Sequence, residues 1–268
     1  MMYCRICNQK TNEIFSHQVL KKYKVKYFLC EACGLLQTEE PYWLDEAYSE
    51  AIAVADTGLV ARNIGISNRL ALLLFQMFGT SGRYVDMAGG TGLLTRLMRD
   101  VGFDYYWQDQ YCENIHAKGF EYSNSLGSCS AVTAFEVLEH IEQPEPFIVD
   151  ALEQTQADTF IFSTDLYSGN PPFPDEWWYY AFETGQHISF YQLRTLKFIG
   201  RKLAMDLYSS GNFHMFTKQH FSQRKFQSCI GRLGKLISLI IRRRINTRTM
   251  TDHKTMLHET YNSGESPL

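Results

Sequence analysis

Arg83-Tyr84-Val85-Asp86-Met87-Ala88-Gly89-Gly90-Thr91-Gly92-Leu93 is the stretch whose reading decides the fold. It opens as a short apolar run that closes around an acid, turns glycine-rich, and passes at once into the helix-like pattern of Leu93–Val101. The order predicts a strand over Arg83–Met87, a tight loop, a helix over Leu93–Val101 and a second strand over Asp104–Gln108. Parallel strands need a crossover, and a helix between two strands supplies it, so the unit predicted is β-α-β within a doubly wound α/β sheet. Later strands are predicted at Ala131–Phe135 and Thr159–Thr164, with a helix over Pro146–Gln154 between them. Glycines let backbone approach a ligand where a side chain would collide. Their spacing here is not the G-x-G-x-x-G of a dinucleotide loop.

Upstream, Ile64, Leu70, Leu73, Leu74 and Met77 recur at helical spacing, and Gly79 to Gly82 end that helix. Further upstream, Lys24–Leu29 alternates as a strand does. Downstream, Asn170 to Trp178 holds three prolines in four positions and is expected to be a loop or lid. The run Ile230–Ile241 followed by Arg242-Arg243-Arg244 has two readings, an amphipathic helix on an anionic membrane or packing on the domain or a partner subunit. A polar, mobile end is expected from Asn246. The expected organisation is a knuckle module at 1–40, the α/β domain with its leading helix at 41–222, and a helix and tail at 223–268.

The chain has 268 residues, 45% of them hydrophobic and 21% charged, which suits one α/β core with a small appendage. Its formal net charge of -3 gives no electrostatic reason to expect nucleic acid as a partner. Met1 to Arg5 show no apolar run behind a basic segment, so a cytoplasmic location is expected. Thiols stay reduced there, and four of the seven cysteines then need another explanation. Cys4, Cys7, Cys30 and Cys33 form C-x2-C-x22-C-x2-C, in which each pair can grip one edge of a tetrahedral ion and Gly34 allows the second turn. Four thiolates favour Zn2+ and leave no position for a catalytic water, so a structural zinc-ribbon-like module is expected. His17 is a substitute ligand on the same reading, and Cys112, Cys129 and Cys229 receive no role.

The glycine string resembles motif I of the class I methyltransferases, with Ala88 where a first glycine is usual. The resemblance implies the Rossmann-like class I methyltransferase fold and S-adenosyl-L-methionine as cofactor. Residues Ala88, Gly89, Gly90 and Gly92 would lie along its methionine part, organised by Asp86. Asp109 follows Asp86 by 23 positions and would accept hydrogen bonds from the ribose hydroxyls, with Asp104 as the competing acid. The string Thr133-Ala134-Phe135-Glu136-Val137-Leu138-Glu139-His140-Ile141 closely resembles the strand-four region of methyltransferases with an "EVLEH" signature. It implies Phe135, Glu136 and His140 beside the cofactor, with Glu139 near the pocket mouth, although Glu139-His140 also reads as a helix-start pair with local bonds. The segment Asn114 to Glu121 is similar to these proteins too and implies Phe120 and Glu121 at the adenine.

Methyl transfer needs a positioned acceptor and, for an oxygen or carbon acceptor, a base. Phe182 to Tyr191 resembles the region after strand five that faces the acceptor, which makes His187 the candidate base and Glu183 its reserve. Trp177, Trp178 and Tyr179 read either as an aromatic wall for a flat substrate or as packing. Cys33-Gly34-Leu35-Leu36-Gln37 looks like a string of bacterial sugar methyltransferases, which implies a small-molecule acceptor such as a sugar or polysaccharide precursor. Two alternatives stay open. One is an RNA methyltransferase whose knuckle binds RNA, and the other is a methyltransferase fold that binds without turnover.

Overall fold

In the computed structural model, residues 1–48, 56–231 and 245–263 are described. The basic run Arg242-Arg243-Arg244 and most of Ile230–Ile241 lie outside the described residues. The first elements are β1 (Asn12–Val19), β2 (Tyr23–Leu29), β3 (Leu36–Thr38), α1 (Leu44–Ala47), α2 (Leu59–Phe78), β4 (Arg83–Met87), α3 (Leu93–Val101), β5 (Asp104–Gln108) and β6 (Ala131–Ala134). There follow α4 (Pro144–Thr155), β7 (Thr159–Ser163), β8 (Ser189–Phe190), α5 (Leu193–Lys202), β9 (Asp206–Ser210), β10 (Phe213–Thr217), α6 (Gln223–Ile230) and α7 (Thr249–Ser263).

Two compact units divide the chain. The first comprises Met1–Asp56, Ala134–Gln154 and Asp158–His220, and the second Thr57–Thr133, Thr155–Ala157 and Phe221–Leu268. The division falls inside β6, between Thr133 and Ala134, and residues 1–40 share a unit with later segments of the chain.

The second unit holds the α/β arrangement expected. Strand β4 pairs in parallel with β5 on one side, Asp86 opposite Trp107, and with β6 on the other, Asp86 opposite Thr133. The order β5-β4-β6 means that the chain leaves β4 in one direction and returns on its far side. The carboxyl end of β4 is therefore a topological switch point, where open α/β sheets bind ligands. Tyr84, Val85, Tyr105, Ala131 and Val132 are all fully buried, as strands covered on both faces require.

The end of the chain departs from the expected mobile tail. Helix α7 occupies Thr249–Ser263, and Asp252 on it is buried against α3. Arg99 on α3 is 2% exposed and donates to both carboxylate oxygens of Asp252 at 2.8 Å. A buried guanidinium needs a counter-charge, and the polar sequence after Asn246 supplies it.

In the first unit, β7, β10 and β9 form antiparallel pairs with β10 in the middle. A separate antiparallel sheet runs β1-β2-β3-β8. The cysteine module therefore does not stand alone, because β3 pairs with β8 through Leu36 opposite Phe190 and Gln37 opposite Ser189. Tyr27, Trp43, Tyr179, Tyr180 and Phe190 bury their rings together over this sheet. Trp177 joins that packing, 5.1 Å between centroids from Tyr180, whereas Trp178 is 76% exposed. Tyr179 touches both, 5.2 Å from Trp177 and 5.5 Å from Trp178 between centroids.

Candidate functional site

In the second unit the loop after β4 is built by left-handed backbone that favours small residues. Ala88, Gly90 and Gly92 adopt φ of +58°, +55° and +82°. The amide of Gly89 donates to the Gln108 carbonyl at 3.1 Å, which ties the loop to the end of β5. Trp107 donates its ring N–H to the Gly90 carbonyl at 2.8 Å. A Cβ on Gly92 would lie 2.5 Å from the Asn114 amide oxygen, whereas one on Gly90 would meet nothing within 4 Å. The loop is thus packed at Gly92 and open at Gly90.

Two acids flank it. Asp86 is 3% exposed, and its Oδ1 accepts from the Thr133 hydroxyl at 2.7 Å. Burial pushes its carboxyl up to about 7, the nearby charge of Asp109 adds to this, and the Thr133 bond opposes it. Asp109 follows β5; its Oδ2 accepts from Gly90 N–H at 2.9 Å, and its Oδ1 accepts from the amides of Tyr111 and Cys112 at 2.7 and 2.9 Å. A carboxylate offers about four lone-pair sites, so three bonds leave capacity for one further donor rather than two. Asp104, the competing acid, bonds and pairs with Arg83, Arg99 and Arg248.

Phe120 is buried, with the Arg99 guanidinium 3.6 Å from its ring centroid, so the ring is engaged in packing α3. Glu121 is exposed and accepts from Asn114 Nδ2 at 2.6 Å. Residue 121 also bridges to Trp107, which sets this segment alongside β5.

In the first unit, the chain leaving β6 takes a positive φ at Glu136, +57°. A glutamate in that region costs of order 1–3 kcal/mol and persists where surrounding bonds hold it. Here the Ser163 hydroxyl accepts from the Glu136 amide at 2.8 Å and donates to its carboxylate. Phe135 packs on Phe213 at 4.9 Å between centroids. Leu138–His140 then form a 3-10 turn rather than the start of an α-helix, and this turn buries Glu139 completely.

His187 lies just before β8. The Ile188 amide donates to the Glu139 carbonyl at 2.8 Å, and Tyr191 donates its hydroxyl to the Leu138 carbonyl at 2.8 Å. These bonds bring His187 against His140, with ring centroids 4.7 Å apart and planes at 90°. The carboxylate that joins the two histidines is Glu139, with one ligand atom of each within 4.8 Å of the others. Glu183, named from the sequence as the reserve base, is exposed and is not part of this group. The sequence put Glu139 near the pocket mouth but gave it no partner, because an acid beside a histidine at an element start also has a local explanation. Its signal was the second glutamate three residues after Glu136.

The four cysteines converge in the same unit. Their sulfurs all lie within 4.8 Å of one another, with Cys4 to Cys33 at 3.5 Å and Cys7 to Cys30 at 3.3 Å. Tetrahedral Zn–S bonds of about 2.3 Å imply S···S edges of roughly 3.8 Å, so the donor set fits a zinc ion. Cys30 N–H donates to the Leu35 carbonyl at 2.8 Å and Gly34 N–H to the Cys30 carbonyl at 2.7 Å, folding the second knuckle around Gly34 at φ +80°. His17 is half-buried and stacks on Phe182, and it is not part of the sulfur group. Gln37 accepts from the Arg5 amide at 2.9 Å, and the Arg5 guanidinium donates to the Ile188 carbonyl at 3.0 Å. The first knuckle thereby reaches the residue next to His187.

A family model described as "Methyltransferase domain" matches residues 62–203, over half of the 268. Similar solved structures include the plantazolicin methyltransferase BpumL with SAH, at 10% identity and TM-score 0.47, covering 74% of this chain and 89% of that one. Magnesium protoporphyrin IX methyltransferase (ChlM) from Synechocystis PCC 6803, with SAH, is 12% identical at TM-score 0.42, covering 65% of this chain and 90% of that one. The mitomycin 7-O-methyltransferase MmcR is 12% identical at TM-score 0.41, and 65% of this chain spans 59% of it. No curated protein sequence matches the chain.

Proposed function

The chain belongs to the methyltransferase-domain family, and from that premise we propose that it transfers a methyl group from S-adenosyl-L-methionine to a small-molecule acceptor, a sugar or polysaccharide precursor. The observation that carries this is the loop after β4: its backbone is held in left-handed conformations, a Cβ at Gly90 would enter open space, and two carboxylates stand beside it. An open backbone cradle with acids fits a cationic ligand that carries hydroxyls. When bound, the cofactor supplies an electrophilic methyl on a sulfonium.

In the second unit, Asp86 meets the amino-acid end, the backbone of Ala88, Gly89, Gly90 and Gly92 lies along the methionine part, and Asp109 accepts from one ribose hydroxyl. Glu121 is the more available of the two adenine-side residues, since Phe120 is covered by Arg99. For Phe135, Glu136 and His140, which belong to the first unit, the cofactor role rests on the "EVLEH" resemblance. His187 is the acceptor-side base: its Nδ1 must donate to the Tyr179 carbonyl at 2.6 Å, which leaves Nε2 with the lone pair. Burial lowers its ring to about 4, so the imidazole is unprotonated at neutral pH, the form a base requires.

The four cysteines hold a structural Zn2+, which keeps β3 against β8 and so supports the His187 loop. Thiolate ligands need a reducing compartment, in line with the cytoplasm. Among the described residues, no helix is long and apolar enough to cross a membrane. The test is incubation of the protein with methyl-labelled cofactor and fractions of sugar nucleotides and polysaccharide. Label in a carbohydrate fraction supports the proposal, and label confined to RNA, or no transfer by cofactor-bound protein, refutes it.

A further inference from the structure

Glu139, His140 and His187 form a second cluster whose donor atoms lie within 4.8 Å of one another. Glu139 is 0% exposed, and neither of its carboxylate oxygens has a hydrogen-bond partner. Leaving a buried acceptor unpaired costs about 1–3 kcal/mol, and more for a charged group, so the arrangement calls for a missing partner. The acids that act on its charge, Glu136 and Asp165, repel it, the Tyr179 hydroxyl helps it, and no cationic side chain is among these groups.

The two histidines are prepared in the way metal-binding imidazoles are. The Tyr179 carbonyl fixes the His187 tautomer through Nδ1 at 2.6 Å, and Tyr48 lies 2.9 Å from His140 Nδ1 through its hydroxyl. Outer partners of this kind orient a ring and present its other nitrogen. Burial lowers the pKa of both rings and keeps them neutral, the form that ligates. Both histidines are half-buried as residues. All of these groups belong to the first unit.

We propose that Glu139, His140 and His187 bind a divalent first-row transition ion through one carboxylate and two imidazoles, with further coordination positions open. Three protein ligands with an open position are the pattern of reactive sites, in contrast to the closed set of four cysteines. The binding itself does not depend on the methyl-transfer reading; only the ion's use beside the acceptor does. With an ion present, His187 serves as a ligand and not as the base.

Mn2+ separates the two centres, because oxygen and nitrogen donors suit it and thiolates do not. Zinc-replete full-length protein is titrated with Mn2+ while the free-ion electron paramagnetic resonance signal is followed. The wild type is expected to remove one equivalent per chain, with affinity lowered roughly tenfold or more in Glu139→Gln and in His187→Ala, as loss of a ligand implies. Retained zinc and an unchanged melting midpoint show that each variant is folded; should either unfold, His140→Asn takes its place. Wild-type protein that binds no Mn2+, or folded variants that bind it as tightly, overturn the site. Cofactor binding is measured on the same samples: Mn2+ bound without it refutes methyl transfer and leaves the ion site standing, and the reverse refutes the ion site alone.

Discussion

Replacing Gly92 and Gly90 separately with alanine should give opposite phenotypes, although the two residues are neighbours in one loop. Gly92 has φ +82°, and its new Cβ would sit 2.5 Å from Asn114 Oδ1 and 3.2 Å from the Ala117 amide nitrogen. Asn114 cannot move aside cheaply, since its Oδ1 accepts from the Ala117 amide at 2.9 Å and its Nδ2 donates to Glu121 at 2.6 Å. A left-handed alanine costs about 1–2 kcal/mol, and an extra methyl forced into packed surroundings costs about 1–3 kcal/mol. Gly92→Ala should therefore lose about 2–5 kcal/mol, a drop of roughly 5–15 °C in melting midpoint for a chain of this size. Gly90 has φ +55° and nothing within 4 Å of its new Cβ, so Gly90→Ala carries only the conformational cost, about 1–2 kcal/mol. Its methyl points into the space assigned to the cofactor, so binding should fall at least as far as stability does. Denaturant unfolding and cofactor calorimetry read the two effects. A Gly92→Ala protein within about 0.5 kcal/mol of wild type, the range of an ordinary surface substitution, would refute the steric reasoning.

Three further outcomes follow from the same geometry. Asp252→Asn leaves the buried Arg99 without its counter-charge and should cost about 3–5 kcal/mol in urea unfolding. Burial raises the Asp252 carboxyl but Arg99 and Arg96 outweigh it, so its folded pKa is lowered; its contribution is present above the unfolded value of about 4 and fades as pH falls through the folded one, and Asp252→Asn should unfold with less pH dependence there. Asp86 behaves in the opposite sense: its folded pKa is raised to about 7, so stability declines as pH rises from about 4 to 7, and Asp86→Asn should flatten that decline. Because a cation beside Asp86 favours its ionised form, cofactor affinity should weaken as pH falls below about 7 in the wild type and stay level in Asp86→Asn, read by calorimetry at several pH values. Elemental analysis should find one zinc in wild type and none in Cys30→Ser, whose β1-β2-β3-β8 sheet should unfold at lower temperature, since structural zinc binding is coupled to folding.

Much of the second unit was legible because its signals are local. The bounds read for β4, α3 and β5 are those observed, since a buried apolar strand, a glycine loop and a short amphipathic helix each declare themselves within a few residues. Elements defined by distant partners were not legible. Strand β8 is two residues long and exists because β3 lies beside it, and β10 is buried throughout, including His214, so its alternation is lost. Helix α7 reads as a polar tail until Arg99 gives Asp252 something to neutralise. The cysteine group follows from spacing alone, whereas the second cluster needed the 3-10 turn at Leu138–His140 to place Glu139 beside His187. Glu183 came from the resemblance of Phe182 to Tyr191, whereas the fold sets Glu139, 48 positions upstream, beside His187.

The central claim is that the loop after β4 holds S-adenosyl-L-methionine, and isothermal titration of the full chain with that compound tests it most directly. Saturable binding of one equivalent, weakened in Gly90→Ala and Asp86→Asn with the fold retained, is the expected result. No heat of binding from folded, zinc-replete protein, or affinity indifferent to both substitutions, would contradict it.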